Sequence, residues 1–141
     1  MQATLTQGTT HSMSKAVDET MTVPYVRGDY ASFAEMPRVF ATAALVGFVE
    51  AACMETLAPY LDEGEVTLGT LVDITHSAPT PVGGTVRAEV TVTKVEPRSV
   101  TFSVTVLDDE DVVSVGTHHR AVISRDRFDQ LVADKAQRLG L

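Results

Sequence analysis

A chain of 141 residues, 44% hydrophobic and 21% charged, is long enough for one domain with a packed core. Its net charge of −8 argues against nucleic acid or an anionic membrane as a general partner. A single cysteine, Cys53, excludes an internal disulfide framework and fits a reducing, cytoplasmic setting, while no signal-peptide pattern or apolar run of membrane-spanning length is evident.

Residues 1–14 are small and polar without periodicity, and read as a mobile tail in which His11 is inert; the domain is taken as 15–141. A strand is expected over Ala16 to Val23, ending at Pro24. Positions 28–37 read as a loop or short helix carrying Tyr30, Phe33 and Met36, aromatic and apolar groups that either cover a pocket or pack on the core. From Thr42 to Ala58 the chain is apolar nearly all round, which predicts a helix buried on several sides and stopped by Pro59.

Four strands follow. Positions 65–78 alternate, with Val66, Leu68, Val72, Ile74 and His76 on one face, until Pro79, Pro81, Gly83 and Gly84 break the pattern. Positions 85–95 alternate through Val86, Ala88, Val90, Val92 and Lys94; 98–107 are rich in Thr and Val. The acidic run 108–111 reads as a solvated hairpin turn rather than a cation site, and leads into a strand over 112–123. Ser124 then caps a last helix whose Phe128, Leu131, Val132, Lys135 and Leu139 form one stripe. Short turns require antiparallel pairing, so the expected architecture is α+β: one antiparallel sheet wrapped around a long central helix, plus a C-terminal helix. No internal repeat, glycine-rich phosphate loop or zinc spacing is present, and no metal site is expected.

Three residues carry the chemistry. Glu50 lies in the apolar helix, sharing its face with Ala43, Val46, Gly47, Cys53, Met54 and Leu57. An unpaired carboxylate there is costly, so it needs a partner or a task, either attacking an acyl carbon or activating water. Thr42 opens the helix, either as an N-cap or as a hydroxyl aimed, with the free N–H groups of the first turn, at a substrate carbonyl. His76, on the Val72/Ile74 face, is a base or a core histidine. Adjacent His118 and His119 point to opposite faces of a strand and do not share a metal. Arg120 shares a strand face with Ser114, Gly116 and His118 and is expected to meet a polar or anionic substrate group. Thr42 and Glu50 are eight positions apart, about 12 Å along a helix, too far to serve one acyl group. Two antiparallel copies of the helix would bring Glu50 of one near Thr42 of the other, with small Gly47 at the closest approach. A homodimer with shared sites follows as an expectation.

The segment from Phe33 to Thr42, the helix through Val46 to Glu50, Leu68-Gly69-Thr70, Thr75-His76 and the run from Gly116 to Ile123 resemble the fluoroacetyl-CoA thioesterase family. The likeness covers most of the chain after the tail and keeps the order and spacing of these motifs. It implies a hotdog fold, a homodimer that joins two sheets, and hydrolysis of an acyl-CoA in which coenzyme A is part of the substrate and no cofactor is needed. It implies Thr42, Glu50 and His76 as catalytic, and Gly69, Arg120, Phe33 and Met36 at the substrate. Met36 stands where the fluoroacetyl-specific enzyme has a gating phenylalanine, and His119 where it has an acidic residue, so the acyl group is left open. Rival readings are a hydratase or dehydratase of acyl thioesters and a non-catalytic acyl-CoA binding module.

Overall fold

The computed structural model describes residues 1–27 and 30–141. Its order is β1 (Thr10–Ala16), α1 (Thr42–Leu57), β2 (Glu65–Ile74), β3 (Thr85–Glu96), β4 (Ser99–Leu107), β5 (Val112–Ser124) and α2 (Arg125–Leu139), with short 3₁₀ turns between β1 and α1 and after α1. Among the described residues the strands form one antiparallel sheet in the order β1-β3-β4-β5-β2.

Alternation drives β3 and β4. Val86, Ala88, Val90 and Val92 of β3 and Val100, Phe102, Val104 and Val106 of β4 turn inward and are buried. They meet Leu45, Phe48, Val49, Ala52, Cys53 and Leu57 of α1 in one core cluster. Each large side chain sequestered there stabilises the fold by roughly 1.5–3 kcal/mol. Counted on to Tyr60, α1 is long and apolar enough to cross a membrane by length and composition, contrary to the expectation that no run reaches that size. The sheet accounts for its apolarity, because a core helix sheds polar residues for the same desolvation reason as a membrane span.

Three expectations need correction. The first strand is β1 at Thr10–Ala16, paired to β3 from Thr10↔Thr91 to Ala16↔Thr85, so the boundary expected at residue 14 falls inside a strand. Upstream of it Leu5 is buried in the core, and the N–H of Gly8 donates to Val92. Within β1 the half-buried row is His11 and Met13 among otherwise exposed, mostly polar residues on an edge, which hides a strand's period from hydropathy. The stretch expected as a strand to Val23 instead forms a 3₁₀ turn at Glu19–Met21. In the loop expected over 28–37, Gly28 and Asp29 lie outside the described residues.

The second correction concerns β2. A bulge between Gly69 and Leu71 sets two residues of β2 against one of β5. It inverts the side-chain parity halfway along the strand. Thr67 and Gly69 stand opposite Val122 and Arg120, whereas Val72 and Ile74 stand opposite His118 and Gly116. Val66 and Leu68 therefore lie on the face opposite to Val72 and Ile74, not on one shared face. A similar shift after Val92 moves Lys94 off the inward row of β3.

The third concerns α2. Ser124 does accept from the N–H of Arg127 as an N-cap. The stripe is not packed away, however: Leu131, Val132 and Leu139 are more than half exposed.

Candidate active site

Thr42 begins α1 but does not cap it. The N-cap is Ala41, which has no side chain able to accept, and Thr42 is the first helical residue. Its hydroxyl is thereby released from the backbone and lies 2.8 Å from Nδ1 of His76. His76 follows the last residue of β2, where the chain leaves the sheet and crosses toward the helix start. Its ring meets the edge of Phe40 at 6.2 Å, which fixes its plane. Burial lowers the His76 pKa below the ordinary histidine value, against an opposing hydrogen bond to the Ala78 backbone. The imidazole is therefore neutral near pH 7 and able to accept the threonine proton. Val23, Val39, Phe40, Ser77 and Pro79 complete an open recess of about 270 Å³ around this pair.

Glu50 sits two turns further along α1 in different surroundings. The apolar face expected around it is only half covered: Cys53 and Leu57 are buried, while its other side is open. Ala43, Gly47 and Met54 are exposed, and the Glu50 side chain is itself 37% exposed. Its partner is Arg120 of β5, whose Nη1 donates to Oε1 at 3.4 Å. Arg120 was expected to reach a substrate group. It is 2% exposed, with Nε donating to Thr67 Oγ1 and Nη2 to the Thr67 carbonyl, each at 2.9 Å. Its charge is spent inside the protein on Glu50 and Thr67. Burial lowers the Arg120 pKa while Glu50 raises it; an arginine remains charged through this.

Gly69 lies directly beneath the carboxylate. A Cβ there would stand 2.0 Å from Glu50 Oε1 and 3.2 Å from the His118 ring, so only glycine lets the helix side chain reach the sheet. Gly116 plays the same part for the backbone, since a Cβ would stand 2.1 Å from the Asp73 carbonyl oxygen of the neighbouring strand.

The face shared by Ser114, His118 and Arg120 is the inward one, and all three are buried. His118, considered in the sequence only as an unlikely metal ligand, is fully buried beside Arg120 and Glu50, with Nε2 3.1 Å from Arg120 Nη1 and 3.8 Å from Glu50 Oε1. The signal available in the sequence was its i, i+2 spacing from Arg120 on one strand face. Cys53 is inert: burial pushes its thiol up to about 12.

The chain thus gathers the expected residues into two groups, Thr42 with His76 and Glu50 with Gly69 and Arg120. Phe33 and Met36 are exposed on the segment before α1, 37% and 48%, and do not line the Thr42–His76 recess.

The comparisons bear on this arrangement. The family model described as fluoroacetyl-CoA-specific thioesterase matches residues 17–126. The fluoroacetyl-CoA thioesterase of Streptantibioticus cattleyicolor is 42% identical over 114 residues, 81% of this chain and 82% of that protein. A solved structure of the fluoroacetyl-CoA thioesterase FlK superposes with a TM-score of 0.91 at 38% identity, covering 93% of this chain and 97% of that one. A variant of that enzyme in complex with fluoroacetate and CoA superposes at 0.86 and 39% identity, covering 88% and 99%. A Thermus thermophilus thioesterase superfamily member superposes at 0.88 with 23% identity over 99% and 98%, which speaks to fold alone. The sheet wrapped around α1 is the hotdog architecture.

Proposed function

The chain belongs to the fluoroacetyl-CoA-specific thioesterase family and is a thioester hydrolase, and from that premise we propose that it cleaves a short-chain acyl-CoA to free acid and coenzyme A with Thr42, Glu50 and His76 as its catalytic residues. The observation that carries the assignment is the 2.8 Å contact between the Thr42 hydroxyl and His76 Nδ1. If the Thr42 hydroxyl attacks the thioester carbonyl, a neutral His76 takes its proton and passes it to the leaving sulfur; if the hydroxyl only orients the carbonyl, it keeps its proton and donates to the carbonyl oxygen. Ala41 supplies no capping side chain, which leaves the N–H groups of the first turn of α1 to meet a developing oxyanion. Glu50, held by Arg120, then serves as nucleophile toward the acyl carbon or as general base toward water. In both cases water enters the acid and the sulfur leaves as thiol.

The two groups lie about 12 Å apart along α1, and a homodimer with antiparallel α1 helices brings them together. Two features support it. The open face of α1 is built from Ala43, Gly47 and Met54, and a Cβ at Gly47 would meet nothing within 4 Å, so a second helix can approach closely there. Among the described residues β2 is also an edge strand with Leu71 and Val72 exposed, free to extend a sheet. In that assembly Phe33 and Met36 would approach the acyl group. The FlK enzyme has been solved with acetyl-CoA and with fluoroacetate and CoA, which supports a two-carbon acyl group here.

A thiol-release assay across short acyl-CoAs, with product analysis, tests the reading. Free CoA and free acid are expected. An enoyl or hydroxyacyl thioester without thiol release would assign a hydratase or dehydratase instead. An active monomer by sedimentation under assay conditions would overturn the shared site.

A further inference from the structure

We propose that His118 is a positioning residue of this site: as the neutral Nδ1–H tautomer held by the Leu71 carbonyl, it presents Nε2 as an acceptor that aims Arg120 at Glu50. The inference rests on the reading of Glu50 as catalytic.

The hydrogen-bond directions leave one solution. Nδ1 of His118 lies 2.8 Å from the Leu71 carbonyl oxygen, which can only accept, so the ring proton is on Nδ1. Nε2 is then a bare lone pair. It lies 3.1 Å from Arg120 Nη1, which can only donate. The same Nη1 reaches Glu50 Oε1 at 3.4 Å. One edge of the guanidinium is fixed by Thr67 through Nε and Nη2. The remaining corner is shared between His118 and Glu50. Because His118 is fully buried, no solvent replaces its lone pair.

The bulge in β2 makes this possible. Leu71 follows the irregularity at Gly69/Leu71, and the same irregularity sets Gly69 under the carboxylate. A single backbone feature thus supplies both the tautomer-fixing carbonyl and the space for Glu50.

The groups facing His118 are few. Arg120 stands on its own strand, Glu50 lies on α1, Gly69 and the Leu71 carbonyl belong to β2, and Phe102 of β4 lies opposite. His119 points to the other face of β5. Protonation would set an N–H of His118 against an N–H of Arg120. Burial, and then the charge of Arg120, hold the His118 pKa below the ordinary histidine value.

Two variants separate positioning from packing. His118→Asn can donate to Leu71 from the place of Nδ1 but offers nothing at Nε2. His118→Gln brings a carbonyl oxygen to the place of Nε2. Thiol release and melting temperature are measured on both, beside the parent and Glu50→Gln. His118→Asn is expected to lose kcat by about 10²-fold, the scale of an ångström of misplacement, with KM changed less than about threefold. His118→Gln is expected to keep at least about tenfold more kcat than His118→Asn. Equal kcat for the two variants, with Glu50→Gln inactive, would overturn the positioning role and spare the catalytic reading. A Glu50→Gln enzyme at the parent rate would overturn both. Ring ¹⁵N shifts of the unmodified protein at pH 7 need no variant: a proton on Nδ1 alone supports the proposal, and a proton on Nε2 or on both nitrogens ends it.

Discussion

The two groups along α1 are built on opposite terms. Thr42 and His76 meet through one hydrogen bond in an open recess, at a helix start and just beyond a strand end. Glu50 is anchored by a buried lattice of Arg120, Thr67 and His118 fixed to two adjacent strands. The first group is free to move a proton and is easily disturbed without harm to the fold. The second places a charge with the rigidity of the sheet, so damage to its buried members, Arg120, Thr67 and His118, reaches stability as well as chemistry. A carboxylate is costly to hold next to a core, and here a buried cation offsets that cost beside partial exposure to solvent.

The sharpest test removes a group from each side and compares the losses. Glu50→Gln and His76→Ala are each expected to lower kcat by about 10²–10⁴-fold. The melting temperature should change little for Glu50→Gln, whose side chain is 37% exposed. If either variant melts in proportion to its lost activity, that residue is structural and the contrast fails.

Glycine substitutions give the next largest effect and distinguish side-chain from backbone crowding. Gly69→Ala would put a methyl group into the Glu50 carboxylate, the movable end of a side chain. A folded protein with kcat reduced by about 10²-fold is expected. Gly116→Ala would press on the backbone carbonyl of Asp73, which cannot yield. Its expected outcome is loss of folded protein, read by circular dichroism and yield. A Gly69→Ala enzyme with full activity would show that Glu50 need not lie against the sheet.

A smaller effect isolates the anchor. Thr67→Val keeps the shape of the side chain and removes the acceptor for Arg120 Nε, leaving a buried donor unpaired. Destabilisation of about 1–3 kcal/mol is expected in denaturant titration. No comparable stability loss is expected from Thr42→Val at the open group.

The mildest probe is pH. His76 and His118 both have folded pKa values held below the ordinary histidine value, chiefly by burial. Between the folded value and the unfolded value of about 6.5, the unfolded chain binds more protons, so stability falls as pH drops below about 6.5. The acid limb of kcat/KM should likewise lie below about 6.5, because His76 stays a neutral base there. An acid limb above that value would contradict a His76 pKa lowered by partial burial.

Much of this was legible in the sequence because it depends on local period. Alternation marked β3, Thr and Val content marked β4, the acidic turn announced β5, and the apolar run ending at Pro59 marked α1 to within a residue or two. Glu50 stood out because a carboxylate is rare in such a run, and the motifs around Thr42, Gly69 and Arg120 pointed to the family. What the sequence alone could not decide was parity and partnership. The bulge at Gly69/Leu71 has no hydropathy signal, yet it reverses which residues of β2 face inward. The intramolecular pairing of Arg120 was not legible because its partners Glu50 and Thr67 lie 70 and 53 positions away. β1 was invisible because an edge strand of small polar residues owes its existence to the ladder with β3, not to its own burial. Local chemistry named the candidate residues; only the folded sheet decided which charge each would face, since a salt bridge is a property of the distance between elements and not of either element alone.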